Sequence, residues 1–371
     1  MKKALLATVL MSAGVVAQAQ SSVTMYGRLD VGFDYMNGVP NNSYTGSSSR
    51  VRLESGDWGT TKWGLKGAED IGGGTQVVFN LEGKFLMNTG ALGVSGSVFD
   101  RKAFVGVVND KFGTILLGRQ IFIANGVWDL DPFGQTLWSS ASLVRGRNWT
   151  HTSNAISYQS PKINGLDVYG QYSLSDSTNW NSDGNGQSTQ GRQDGLQVTY
   201  TTALFQLRGI YDEIRDPITG QLDNVFNASR EYTAGVNLFL GQFKIQGVYE
   251  ASRTSGITNS PQGTPTTTNH EWAGVTWQAT PAASVIGAVY HVNANNGGGN
   301  ATLYAIGGAY ALSKRTLLDF EIATTRNSKN ANFGLDANSA GPGGNTPSGY
   351  NENPLFGHSQ AGVFAGIDHS F

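Results

Sequence analysis

The feature that most restricts what this chain can fold into is a strict alternation of apolar and polar side chains, sustained over runs of ten to twelve residues. In MYGRLDVGFDY (25–35), Met25, Leu29, Val31, Phe33 and Tyr35 share one face, while Arg28, Asp30 and Asp34 share the other. QVVFNLEGKF (76–85) sets Val77, Phe79, Leu81 and Phe85 against Gln76, Asn80, Glu82 and Lys84. The pattern returns in GLDVYGQYSL, ALFQLRGIYD and QFKIQGVYE. A period of two is that of an extended strand with unlike surroundings on its two sides. Strands of soluble sandwiches usually stop at about five or six residues, whereas a tilted strand needs about 9–11 to cross a bilayer. The runs have the second length, so one face is expected to meet lipid and the other an aqueous lumen.

Runs bounded by turn residues number sixteen, from 23–35 to 359–371, and include 50–69 and 99–108 as single strands. An even count is what single-chain outer-membrane barrels need. The connectors sort by length: EDIGGG, NDKF, SPKING, TTAL, LGQ, ATPAA and LSKR are short. Between them lie long polar stretches at 121–152, 175–191, 253–268 and 327–358. Short turns on one rim and long loops on the other are the mark of such a barrel. The expected fold is all-β, a transmembrane antiparallel 16-stranded β-barrel with both chain ends on the short-turn side.

Composition supports this. Fifty glycines and abundant Phe, Tyr and Trp against 14% charged residues favour strands and turns over helices. Residues 1–19 read as a signal peptide: Lys2 and Lys3, an apolar run, then Ala17-Gln18-Ala19 as a peptidase site. The barrel is then expected over 20–371. Without the two leader lysines, 23 basic residues face 27 acidic ones, which does not suit a nucleic-acid partner. The chain has no cysteine, so an exported protein of this sequence is stabilised by backbone pairing and burial, not by disulfides.

The chain ends in AGVFAGIDHSF, with Val363, Ala365, Ile367 and Phe371 on one face. Chain ends normally fray in water. Here the apolar face is expected to close the barrel against the first strand, since an open edge in lipid leaves backbone groups unsatisfied.

The sequence resembles the general porins of Gram-negative bacteria, in the branch typical of β-proteobacteria and neisseriae. The resemblance rests on SSVTMYGRLDVG (21–32), KWGLKGAEDIGGG (62–74), FDRKAFVGV (99–107) with FGTILLGRQ (112–120), DPFG (131–134), ISYQSPKINGL (156–166) and the ending GIDHSF. It implies an outer-membrane homotrimer whose third long loop, here 121–152, folds into the lumen and constricts it. Phe122, Trp128, Leu130, Phe133, Leu137 and Trp138 in that loop need a surface to pack on, and the barrel interior supplies one. Many relatives carry Arg where this chain has Asp368.

A diffusion pore filters by charge at its narrowest ring. Parity places Arg28, Arg50, Arg52, Lys62, Lys66 and Lys84 on the lumen face as a basic wall, with Asp129 and Asp131 as opposing loop acids. The resemblance adds Arg101 and Arg119, although alternation points Arg101 to the lipid side and a bulge is needed to turn it in. For every arginine the competing reading is a salt bridge that braces the loop. Later strands carry the inward acids Asp167, Asp212, Glu231, Glu250, Asp319 and Glu321. The local basic cluster predicts weak anion preference. Phe364 and Tyr169 face inward, either as a sugar-stacking track or as packing for the loop.

Enzyme readings find little support. The histidines at 151, 270, 291, 358 and 369 lack zinc spacing, and there is no G-x-S-x-G elbow. No catalytic residue, cofactor or metal is expected, and the DLD at 129–131 alone is weak as a cation site. The leading expectation is a channel for passive diffusion of small hydrophilic solutes and ions. A solute-specific channel, an outer-membrane enzyme and an adhesin are the rivals.

Overall fold

A computed structural model describes residues 22–134, 136–174, 191–255, 264–336 and 351–371. The proposed leader, parts of three long loops and residue 135 of the loop 121–152 lie outside these residues. The strands are β1 (Ser22–Pro40), β2 in two segments (Ser47–Ser55 and Lys62–Gly72), β3 (Thr75–Lys84), β4 (Lys102–Asn109), β5 (Gly113–Ile121) and β6 (His151–Gln159). They continue as β7 (Leu166–Ser173), β8 (Gln193–Thr201), β9 (Phe205–Ile214), β10 (Arg230–Leu240) and β11 (Phe243–Arg253). The last are β12 (Thr267–Gln278), β13 (Ala283–Ala294), β14 (Gly299–Ala311), β15 (Thr316–Asn327) and β16 (Gln360–Ser370). Each pairs antiparallel with its sequence neighbours, and β16 pairs with β1, so the sheet closes. The expected all-β, 16-stranded barrel is what forms.

Two strands depart from expectation. The run 50–69 is one barrel strand, but it is interrupted. The lower half of β1 pairs with 62–68 and its upper half with 47–55, while 56–61 leave the sheet between them. Asp30 holds this detour: its carbonyl accepts from the Gly56 amide and the Thr61 hydroxyl, and its carboxylate from the Gly59 amide at 2.6 Å. Gly56 sits at φ +84°, a conformation that favours glycine. The run 99–108 starts late, because the Asp100 carboxylate accepts the Lys84 amide at 2.7 Å and holds the chain across the end of β3 until Lys102.

The outer face is the apolar one. Phe33, Val51, Val105, Leu117, Tyr304 and Ile306 are exposed, while Asp30, Asp34 and Met36 on the opposite face of β1 are fully buried. Aromatic pairs mark both rims: Phe243 stacks on Trp277 at 6.2 Å and Tyr200 meets Phe205 at 6.0 Å near the short turns, and Tyr211 meets Tyr232 at 5.3 Å near the long loops. Such girdles sit where a barrel meets the membrane surface. No helix among the described residues is long and apolar enough to cross a membrane, so the strands do the crossing. Connectors follow the expected sorting, with two exceptions on the long-loop rim: six residues, 41–46, join β1 to β2, and four, 295–298, join β13 to β14.

Closure runs from Arg28 opposite Ser370 to Asn37 opposite Ala361. Val363, Ala365 and Ile367 face outward. Phe371 is not frayed: its amide and carbonyl both bond Gly27, each at 3.1 Å. Its ring lies where a Gly27 side chain would be, since a methyl there would come within 2.4 Å of the Phe371 Cζ.

Candidate functional site: the constriction between folded loop and barrel wall

The segment between β5 and β6 turns into the barrel and packs its apolar side chains into the buried core against the wall. It forms a 3-10 stretch over Ile123–Leu130, a single helical turn over Ser140–Leu143 and a final 3-10 turn over Arg147–Trp149. Phe122, Ile123, Leu130, Phe133 and Trp138 are buried against the inner wall. A row of inward glycines on alternate strands makes room. A methyl at Gly195 on β8 would fall 2.5 Å from Ile123, and one at Gly235 on β10 would fall 2.6 Å from Leu130. At Gly274 on β12, Gly307 on β14 and Gly362 on β16 the clashes would be with Pro132, Phe133 and Trp138. The glycines are holes for the loop's knobs.

The loop backbone is satisfied by wall side chains, as a buried irregular segment requires. Gln171 accepts the Ile123 amide, Arg208 donates to the Gly126 carbonyl, and Trp272 donates to that of Leu130. Asn237, Lys244 and Gln246 converge on the Asp129 carbonyl at 3.1–3.2 Å. The loop's far end is locked by Arg147, which is fully buried and pairs with Asp212 at 2.8 Å and Glu231 at 2.9 Å. Burial pushes its guanidinium pKa down, but the two carboxylates hold it above the ordinary value.

The structure divides the predicted basic wall into two zones. Toward the long-loop rim, Arg50 and Arg52 are neutralised: Arg50 meets Asp34, Asp336 and Glu352 at 2.9–3.0 Å, and Arg52 pairs with Glu54, Asp336 and Glu352. At mid-height, Lys62, Arg101 and Lys102 all share Glu82, at 3.5, 2.8 and 3.5 Å. Three cations on one carboxylate leave a positive excess. Tyr26 also donates to Glu82, at 2.8 Å, and carries Lys66 over its ring at 5.0 Å. Lys84 makes no ion pair among the described residues. With Arg101, His151, Trp128 and Trp149 it lines a cavity of about 110 Å³ between loop and wall. Arg28 pairs with Asp368, so that acid of the last strand has a basic partner on β1.

Arg101 points inward, against simple alternation, because it precedes the first residue of β4. Its guanidinium is buried on Glu82. Arg119 does not project into the constriction: it donates to the Asp100 carbonyl and the Ser153 hydroxyl, both at 2.5 Å, beside a register shift between β5 and β6. Asp131 is a correction to the expected pair of loop acids. It is 4% exposed, accepting the amides of Phe133 and Ser140 and the Tyr290 hydroxyl at 2.6 Å, so it braces the loop and does not line the lumen. Asp129 does line it, with an exposed carboxylate 2.7 Å from Arg208. Phe364 packs edge-on against Trp138 at 6.0 Å and so serves the loop.

Lys102, Arg208, Lys244 and His151 were missing from the predicted constriction. Parity already turns Lys102, Arg208 and Lys244 inward. Only the path of the loop shows which of these heights is narrow.

A closed barrel with an apolar outer belt, a charged lumen and a loop folded across it is a membrane channel. The chain belongs to the Gram-negative porin family, whose profile matches residues 4–330, and it is an outer-membrane protein. It is 26% identical to outer membrane porin protein 32 of Delftia acidovorans over the full length of both chains. It is 34% identical to an outer membrane porin protein of Bordetella pertussis over 47% of this chain, and that match spans about half of the relative, 49%. Among solved structures, an anion-selective porin from Comamonas acidovorans superposes with a TM-score of 0.77 at 24% identity, covering 95% of this chain and all of that one.

Proposed function

We propose that the protein is a general diffusion pore for small hydrophilic solutes and ions, with a weak preference for anions set between the loop and the strands β2, β3 and β4. One observation carries the preference. Of the six inward acids read from the sequence, Asp212, Glu231, Glu250, Asp319 and Glu321 are at most 4% exposed. Arg147 ties the loop's far end to two of them, and the Glu250 carboxylate lies 3.3 Å from His270. On the opposite wall the side chains of Lys62 and Lys102 keep 23% and 26% of their surface. The folded loop therefore covers the wall acids Asp212, Glu231, Glu250 and Glu321 and leaves Lys62 and Lys102 showing opposite its own exposed Asp129, and the narrowest ring decides selectivity more than net charge does. The anion selectivity of the Comamonas protein points the same way.

The residues proposed to set the preference are Lys62, Lys66, Lys84, Arg101 and Lys102, balanced by Glu82 and Asp129. Arg28, Arg50, Arg52 and Arg119 brace the wall, and Asp131 and Arg147 brace the loop. The protein is proposed to act without bond chemistry, after removal of residues 1–19, and as a homotrimer. The assembly rests on the family resemblance and on an apolar depression on the outer wall that includes Tyr35, Tyr304, Ile306, Ile322 and Val363.

Planar-bilayer recording tests the reading. Purified protein is expected to give large ohmic steps and, in a KCl gradient, a reversal potential displaced toward that of chloride. Lys84→Glu is expected to move it toward that of potassium. Saturable conductance would indicate a solute-specific channel, and a potential unmoved by Lys84→Glu would remove the basic wall from the mechanism.

A further inference from the structure

Above the constriction, on the long-loop rim, Arg145 is treated differently from Arg147 two residues later. Both guanidiniums are buried, but Arg147 has two carboxylates and Arg145 has none among the described residues. Arg145 donates from Nη2 to the Asn332 side chain at 2.8 Å, and its Nε has no hydrogen-bond partner. Its Cζ lies 4.9 Å from the Phe226 ring and 5.0 Å from that of Phe333, two rings that meet edge to face at 5.9 Å. Burial pushes its pKa down to about 10, so it keeps its charge at neutral pH.

This arginine lines a cavity of about 180 Å³ whose other walls include Phe226, Phe333, Phe356, Pro265 and Asn330. A buried cation with no counter-ion is unfavourable unless something supplies one. A guanidinium fork matches a carboxylate or a phosphate. The walls choose between them, because three phenylalanines and a proline offer an apolar, partly aromatic surface that a bare phosphate does not use. An apolar cavity of roughly 150 Å³ holds benzene, so this one has room for a single ring with its acid group.

We propose that this cavity at the mouth of the pore binds a carboxylate carried on a flat apolar body, with Arg145 as the anion receptor and the phenylalanines as the stacking surface. The site lies apart from the Glu82 cluster and does not depend on the selectivity proposed above. It would hold aromatic or similarly apolar monocarboxylates at the rim before they reach the constriction.

The test is equilibrium binding of benzoate to the detergent-folded full chain, beside benzyl alcohol and inorganic phosphate. Wild-type protein is expected to bind benzoate saturably, one per chain, at least ten-fold more tightly than either comparison compound. Arg145→Gln is expected to weaken it ten-fold or more. Should that variant fail to fold, Asn330→Asp decides, since Asn330 is an exposed rim residue and the added charge is expected to weaken benzoate at least three-fold but leave benzyl alcohol unchanged. Non-saturable uptake, equal affinity for benzyl alcohol, or benzoate affinity unmoved in the folded variants overturns the proposal. Displacement by equimolar phosphate would show a free-anion site and overturns the choice of ligand. KCl conductance of the same preparation reports separately on the pore, so either reading can fail alone.

Discussion

Glu82 shows how one residue can set a field. It is buried, and it receives Arg101, Tyr26, Lys62 and Lys102 together. Glu82→Gln removes the one carboxylate these cations share and leaves their positions nearly unchanged. One unit charge a few ångströms from a permeating ion is worth ~1 kcal/mol in a water-like dielectric, so removing it is expected to raise chloride permeability and lower that of potassium by up to roughly five-fold each, and their ratio rises. Reversal potentials in a KCl gradient measure this, and an unchanged or reduced ratio would show that the cluster lies off the ion path. Arg147 predicts in the other direction, toward stability. Arg147→Ala leaves Asp212 and Glu231 buried without their cation, and breaking a buried pair from one side costs about 3–5 kcal/mol. The midpoint for unfolding the detergent-folded protein is expected to fall accordingly, and a shift below about 1 kcal/mol would mean that water reaches both acids. Parity alone placed Arg28, Arg50, Arg52, Lys62, Lys66 and Lys84 inward, because alternation is a local property of a strand. It misplaced Arg101, whose direction is set by Asp100 holding the Lys84 amide on the neighbouring strand. That contact spans sixteen residues and leaves no mark on the local pattern.

At the scale of elements, the loop between β5 and β6 and the glycine row are one device. The loop was legible as a packed segment, since its aromatics need a partner surface. The surface was not. Glycines at 195, 235, 274, 307 and 362 look in the sequence like weakened strand positions, and only the successive loop side chains seated on them make them a track. The division of labour between Asp129 and Asp131 was hidden for the same reason: two residues apart, one reaches the lumen and the other turns back onto Tyr290. Gly235→Val tests the track. Its side chain would occupy the place of Leu130 and press the loop toward the lumen axis, with an overpacking cost of about 1–3 kcal/mol. The barrel is expected to form, with strand content unchanged by circular dichroism, while single-channel conductance changes and the loop becomes open to protease. Unaltered conductance together with unaltered protease resistance would mean that the wall yields and the loop does not depend on the row.

For the whole molecule, the deciding event is closure, because a barrel in lipid has no acceptable edge. The seam is made by the two ends of the chain, so it has the longest loop to close and its pairs gain nothing from neighbouring sequence. Its hold therefore rests on features that fix register. Phe371 is one, through its two backbone bonds to Gly27 and the seating of its ring in the space that glycine leaves. The inward pair of Arg28 and Asp368 is another, one residue beyond Gly27 on β1 and three residues before Phe371 on β16. Deleting Phe371 removes the terminal bond pair and the ring at once but leaves the rest of β16 intact. Each unsatisfied backbone group in an apolar setting costs about 1–3 kcal/mol, and a lost phenylalanine adds a similar amount. Refolding into detergent micelles is expected to slow and the melting midpoint to fall, with a smaller loss for Phe371→Tyr, which keeps ring and backbone alike. The gel shift between heated and unheated samples follows both. If the deletion refolds and melts like the full chain, the seam is held by the interior pairs of β1 and β16, and the terminal aromatic serves something other than closure.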